Sequence, residues 1–200
     1  MTDFPQTPAA KAALSVATRF YSPALLNHCV RSYLWGATYA AAHGIGFDDE
    51  LLYVSAMLHD IALTDPFDSR RMPFEEAGGD LAWVFGTAVG WPPDRAARAR
   101  EIIVLHMRGD VSSAADPESH LLQVATGWDV VGRRPEEFPA ETRTHILGRH
   151  PRLGFGAEFV ACFEDQATHK PGSAAAASMA NDGARRIAAN PLDTHSTLDT

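Results

Sequence analysis

Residues 22–44 read SPALLNHCVRSYLWGATYAAAHG, and this stretch decides the class of the fold. Ser22 is of the type that caps a helix N-terminus, and Pro23 suits the first turn, where a missing N–H costs nothing. At the far end Gly44 is of the kind that closes a helix in the left-handed conformation. Nothing between them breaks a helix, so one long helix is predicted. Within it His28 interrupts the apolar run ALLNHCV.

The segments on its C-terminal side have the same punctuation. A second helix is predicted from Asp48 through DELLYVSAMLHDIAL (49–63), with Leu51, Val54, Leu58 and Ile61 on one side at spacings of three and four. A loop rich in Asp, Pro and Arg follows over 64–73. FEEAGGDLAWVF (74–85) forms a third helix. Pro92-Pro93 opens a fourth that runs to Met107, and Asp116-Pro117 opens a fifth that includes HLLQVATGWDVV (120–131). Two more are expected at about 140–149 and 155–168. EIIVLH (101–106) could be a strand by composition, but its flanks look like helix caps. No repeat recurs at a fixed period. The prediction is an all-α chain.

After Lys170-Pro171-Gly172 the composition shifts. AAAASMANDGARRIAA (174–189) allows one loose helix, and the last ten residues have a disordered composition. The expected division is a folded domain over 8–169 and a low-complexity, partly disordered tail over 170–200.

Bulk properties exclude several functions. The chain has 200 residues, 46% hydrophobic and 21% charged, enough for one core. A net charge of −8 argues against nucleic acid and anionic membrane as partners. Met1–Pro8 lacks the pattern of a signal peptide, and no run is long and apolar enough to span a bilayer. The two cysteines, Cys29 and Cys162, lie in apolar helical patterns and form neither a disulfide framework nor a thiolate metal site, which fits a reducing cytoplasm. A small-molecule substrate is the expected partner, and a homo-oligomer is left open. Gly44-Ile45-Gly46 lacks the lysine of a phosphate loop, and no GxSxG elbow is present. Tyr33, Trp35, Trp83, Phe85 and Trp128 are expected to fill core or line a pocket.

Of nine histidines, His43, His120, His145, His150, His169 and His195 occupy polar or terminal positions. His28, His59 and His106 do not. His59-Asp60 interrupts SAMLHDIAL, His106 ends EIIVL, and Asp129 stands within GWDVV. Burying an isolated polar group costs a few kcal/mol, and a charge costs more, unless a partner is supplied. Each has an ordinary explanation alone: a core histidine with a hydrogen bond, or Asp129 paired with Arg31 or Arg108. Together, a cation shared by imidazoles and carboxylates from several helices would satisfy them all. His59 and Asp60, adjacent on one helix, would project about 100° apart.

The order His28, His59-Asp60, Asp129 resembles that of the HD-domain superfamily, helical metal-dependent hydrolases. NHCVRSYLWG (27–36), DELLYVSAMLHDIALTDPF (49–67), RMPFEEAGGDLA (71–82), IIVLHM (102–107), GWDVVGR (127–133) and HPRLGF (150–155) resemble its cyanamide-hydratase-type branch. The resemblance covers about 22–168. It implies an HD-type helical bundle with a metal site between helices, ligated by His28, His59, Asp60 and Asp129. It places His106 in or beside the pocket and matches Glu75 to the branch's Phe-Glu segment. Only His106 stands in an apolar setting between the His-Asp pair and the last Asp, so one ion is expected rather than two. Zinc is favoured for a hydration without redox change, while iron and manganese suit the same ligands.

The implied chemistry is attack of water, activated by the metal, on a small nitrile such as cyanamide, giving urea, with Asp60 or His106 moving the proton. The alternative is an HD-type phosphohydrolase acting on a nucleotide or other phosphate ester, with Arg31, Arg70, Arg71 or Arg108 meeting the phosphate. A third reading is a catalytically silent binding module. Arg31 and Glu75 are the expected substrate-binding residues.

Overall fold

The structure is a computed structural model and describes residues 4–193. It begins with a helix that hydrophobic periodicity does not reveal. α1 (Pro8–Phe20) is capped by the Thr7 hydroxyl, which accepts from the Ala10 N–H, and has proline in its first turn. Its buried face is Ala9, Ala10, Ala13 and Ala17, a stripe of methyl groups packed on α3.

α2 (Pro23–His43) has the expected ends: the Ser22 hydroxyl accepts from Leu25, and Gly44 closes it at φ +65°. α3 (Asp49–Leu58) is capped by Asp48. It stops five residues before the expected run ends, and Ile61–Leu63 forms a separate 3₁₀ turn. His59 and Asp60 therefore straddle a helix end instead of sharing a regular helix, with Asp60 at φ −103°, ψ 9°. α4 (Phe74–Ala88), α5 (Pro93–Leu105), α6 (Pro117–Val131), α7 (Ala140–Arg149) and α8 (Phe155–His169) follow close to their predicted positions. No strand is present among the described residues, and no helix is long and apolar enough to cross a membrane.

α2 is the axis of the bundle. It packs against α3, α6, α7 and α8, while α4 and α5 pack on one another and on α3. Trp128 stacks on Phe138, and Trp35 meets both rings edge-on, where α2 meets α6. Gly78 lets α4 approach the end of α3, since a Cβ there would sit 3.2 Å from the His59 carbonyl oxygen.

The segment after Lys170 is two short helices rather than one loose one. α9 (Ala174–Ala180) and α10 (Gly183–Ala188) break at Asn181-Asp182, and both pack on α8, with α10 also on α6. Ile187, Asn190 and Leu192 are buried. Residues 194–200, most of the stretch expected to be disordered, lie outside the described residues. Gly132 closes α6 at φ +66°, and a Cβ there would meet Pro191 Cδ at 2.5 Å. Gly132→Ala is expected to lower stability by roughly 1–2 kcal/mol through the backbone alone. It should also loosen residues 187–193, which denaturant melts and proteolysis beyond residue 170 would register.

Candidate metal centre

α2 contributes His28, and the end of α3 contributes His59 and Asp60. All three side chains are buried. His28 Nε2, His59 Nε2 and one Asp60 oxygen form a nearly equilateral triangle with sides of 3.2, 3.4 and 3.3 Å. Ligands about 2.0–2.1 Å from a tetrahedral ion are themselves about 3.3–3.4 Å apart. The triangle therefore has the dimensions of three corners of a metal site, and this group could hold a metal.

The hydrogen bonds behind the triangle fix what faces inward. His28 Nδ1 lies 2.7 Å from Asp129 Oδ2, and His59 Nδ1 lies 2.8 Å from the Ala56 carbonyl. These acceptors assign the proton to Nδ1 on each ring and leave an Nε2 lone pair pointing into the triangle. Both Asp60 oxygens are buried without a hydrogen-bond donor. Two lone pairs and a carboxylate aimed at one point repel unless a cation lies between them. Without a metal a proton serves: burial alone would lower His59, but the Asp60 charge holds it well above its usual value. Burial alone would raise Asp60, but His59 and His28 keep its carboxyl far below the ordinary range.

Asp129, expected as a ligand, stands one step behind. Arg31 Nε donates to its Oδ1 and Arg31 Nη2 to its Oδ2, both at 2.8 Å. Trp35 Nε1 donates to Oδ1 at 2.8 Å, and His28 Nδ1 donates to Oδ2. A carboxylate offers about four lone-pair sites, and four donors occupy them. Asp129 is thus placed to orient His28. Arg31, expected to bind substrate, is fully buried and holds Asp129 and the carbonyls of His150 and Pro151. Glu75 is buried, but it does not line the cavity beside the triangle, and burial pushes its carboxyl up.

His106, just past the end of α5, lines that cavity together with His28, His59 and Asp60. Its Nδ1–H donates to the Ile103 carbonyl, which again presents Nε2. Burial, then the charge of His59, brings His106 down to about 3, so it is a neutral imidazole near pH 7. Its ring meets His59 edge-on at 5.1 Å. His195 lies outside the described residues.

Sequence reasoning missed three contributors. Phe155 stacks on His28 at 4.3 Å and 15°. Arg152, also buried, donates to the Asp129 carbonyl at 2.7 Å and pairs with Asp193. Asn190 donates to the same carbonyl at 2.9 Å. The segment HPRLGF carried a signal: Leu153 and Gly154 take positive φ, and the residues on either side of them, Arg152 and Phe155, both reach the site with the Arg152 guanidinium over the Phe155 ring. Of the aromatic residues singled out in the sequence, Tyr33, Trp35 and Trp128 are core, Trp83 is exposed, and none lines the cavity. Phe159 and Phe163 do.

The chain is an all-helical bundle with a buried two-histidine, one-carboxylate group that opens on a cavity and could hold a metal ion. The chain is homologous to two proteins of Saccharomyces cerevisiae, cyanamide hydratase DDI2 and cyanamide hydratase DDI3. Each is 27% identical over 191 residues, which cover 93% of this chain and 84% of the relative. No family model matches the chain.

Proposed function

We propose that this chain is a metal-dependent hydratase that adds water across the carbon–nitrogen triple bond of a small nitrile, giving urea when the nitrile is cyanamide. One observation carries the reading: His28 Nε2, His59 Nε2 and the donor-free Asp60 carboxylate converge at metal-ligand spacing on the wall of a cavity. Near full-length similarity to two cyanamide hydratases supports it, as does the HD-type order of the residues.

His28, His59 and Asp60 would hold the ion, with zinc favoured because hydration needs no redox change. When bound, a divalent ion lowers the pKa of its water to about 7 and so makes hydroxide available at neutral pH. Arg31, Trp35 and Asp129 lock the tautomer and ring plane of His28. Phe159 and Phe163 exclude bulk water from the wall beside it. His106 accepts a proton at Nε2 and delivers it to the nitrile nitrogen as that atom gains charge; the net change is addition of one water.

The phosphoester reading relied first on Arg31, and that guanidinium is engaged by Asp129 and two backbone carbonyls. This removes Arg31 from phosphate recognition; Arg108, the candidate that does line the cavity, is paired with Glu76.

The test is urea production from cyanamide by the protein as purified, after chelation, and after restoring zinc. Urea formation that disappears with chelator and returns with metal is expected. No urea from metal-loaded protein would remove cyanamide as the substrate. His106→Gln is expected to keep its metal while turnover falls about 10²–10⁴-fold, the range for loss of a proton-transfer group. An unchanged rate would take His106 out of the reaction.

A further inference from the structure

The cavity is larger and more basic than cyanamide requires. Its volume is about 440 Å³. That falls in the range of pockets for whole metabolites or drug-sized ligands, about 300–1,000 Å³. Cyanamide has three non-hydrogen atoms.

The charge of the wall is more specific than its size. The chain has 25 acidic residues against 17 basic ones, yet Arg108, Arg133 and Arg186 all line this cavity and, among the described residues, Asp60 is the only acid that does. Asp60 is committed to the two histidines. Arg108 is paired with Glu76. Arg133 and Arg186 are not paired: neither guanidinium has a carboxylate or hydrogen-bond acceptor among the described residues, and Arg186 Nε is buried with nothing to donate to. Arg133 follows the end of α6 and Arg186 lies on α10, and these two helices pack on one another. Arg133 is exposed and Arg186 half-buried, and both line one open cavity. Two guanidinium groups on adjoining elements, without counter-charge among the described residues, are suited to an oxyanion, which can accept paired N–H bonds from each.

We propose that Arg133 and Arg186 form an anion subsite of the substrate cavity, so that the natural substrate carries a small oxyanion, carboxylate or phosphate, in addition to its reacting group. The hydratase reading supplies the identity of that reacting group; the subsite itself stands on the arginines alone. It also gives α10 a role, since the segment after residue 170 then carries half of the specificity.

The test uses metal-stripped protein, so its outcome does not depend on the metal reading. Binding of cyanoacetate, of its neutral counterpart cyanoacetamide, and of inorganic phosphate is measured by calorimetry. At least one anion is expected to bind about tenfold or more tightly than the amide, a difference of about 1.4 kcal/mol. Which anion binds better separates carboxylate from phosphate. The preference should fall about tenfold or more in Arg133→Gln and in Arg186→Gln, and added salt should weaken the anions but not the amide. Equal binding of all three probes, or a preference that survives in the Arg133→Gln/Arg186→Gln double variant, would overturn the subsite. A protein that shows the preference but makes no urea when loaded with metal would sink the hydratase reading and leave the subsite standing.

Discussion

Arg31→Met is expected to destabilise the protein by about 3 kcal/mol or more, the low end of the 3–5 kcal/mol typical when one partner of a buried ion pair is removed. The side chain is fully buried, and its guanidinium grips both oxygens of Asp129 at 2.8 Å. Without it the Asp129 carboxylate stays in the interior with Trp35 and His28 as its only close donors. Arg152 still stands 3.6 Å away, which is why the low end of the range applies. Folded domains are stable by about 5–15 kcal/mol, so such a loss is a large share of the total. Urea melts would measure it. Combining Arg31→Met with Asp129→Asn should restore part of the loss, because the stranded charge is gone. A neutral effect of Arg31→Met alone would mean that the pair is not buried as described.

Asp60→Ala is expected to abolish both metal binding and turnover while leaving the metal-free fold intact. Both Asp60 oxygens are buried without a close donor, and without metal the charge is balanced by a proton on His59, which returns to neutral when Asp60 is removed. Removing it from metal-free protein should therefore lower stability by no more than about 1 kcal/mol, in contrast to the larger penalties of core lesions. With metal present the two proteins separate. An ion at about a thousand times its dissociation constant stabilises the native chain by about 4 kcal/mol, and the variant should gain nothing. Thermal melts with and without zinc distinguish this from a purely structural aspartate, whose removal would destabilise both forms alike.

The helices were legible where their ends are written in side chains. Ser22-Pro23, Gly44, Asp48 and Asp116-Pro117 act locally, and each cap lies where its chemistry puts it. α1 was not legible, because alanine contributes little contrast to a hydrophobic pattern even when its methyl groups are wholly buried. The candidate site could be read as a set of misfit residues: polar groups inside apolar runs at 28, 59, 60, 106 and 129. Their division of labour could not be read. Asp129 looks like a ligand in sequence, and only the convergence of Arg31, Trp35 and His28 fills its lone pairs. Arg31, three residues after His28, looks available for substrate, and only the packing of α2 against α6 and the 150–155 segment buries it. Arg152, Phe155 and Asn190 reach the site through a turn and a C-terminal segment whose contacts span long stretches of chain, and no local pattern reports such contacts.

The most direct measurement is the metal content of the purified, dialysed protein beside that of His59→Ala. About one divalent ion per chain in the native protein and next to none in the variant is the expected result. Native protein free of metal even after incubation with zinc, or equal content in both proteins, would contradict the claim that His28, His59 and Asp60 form one buried cation site.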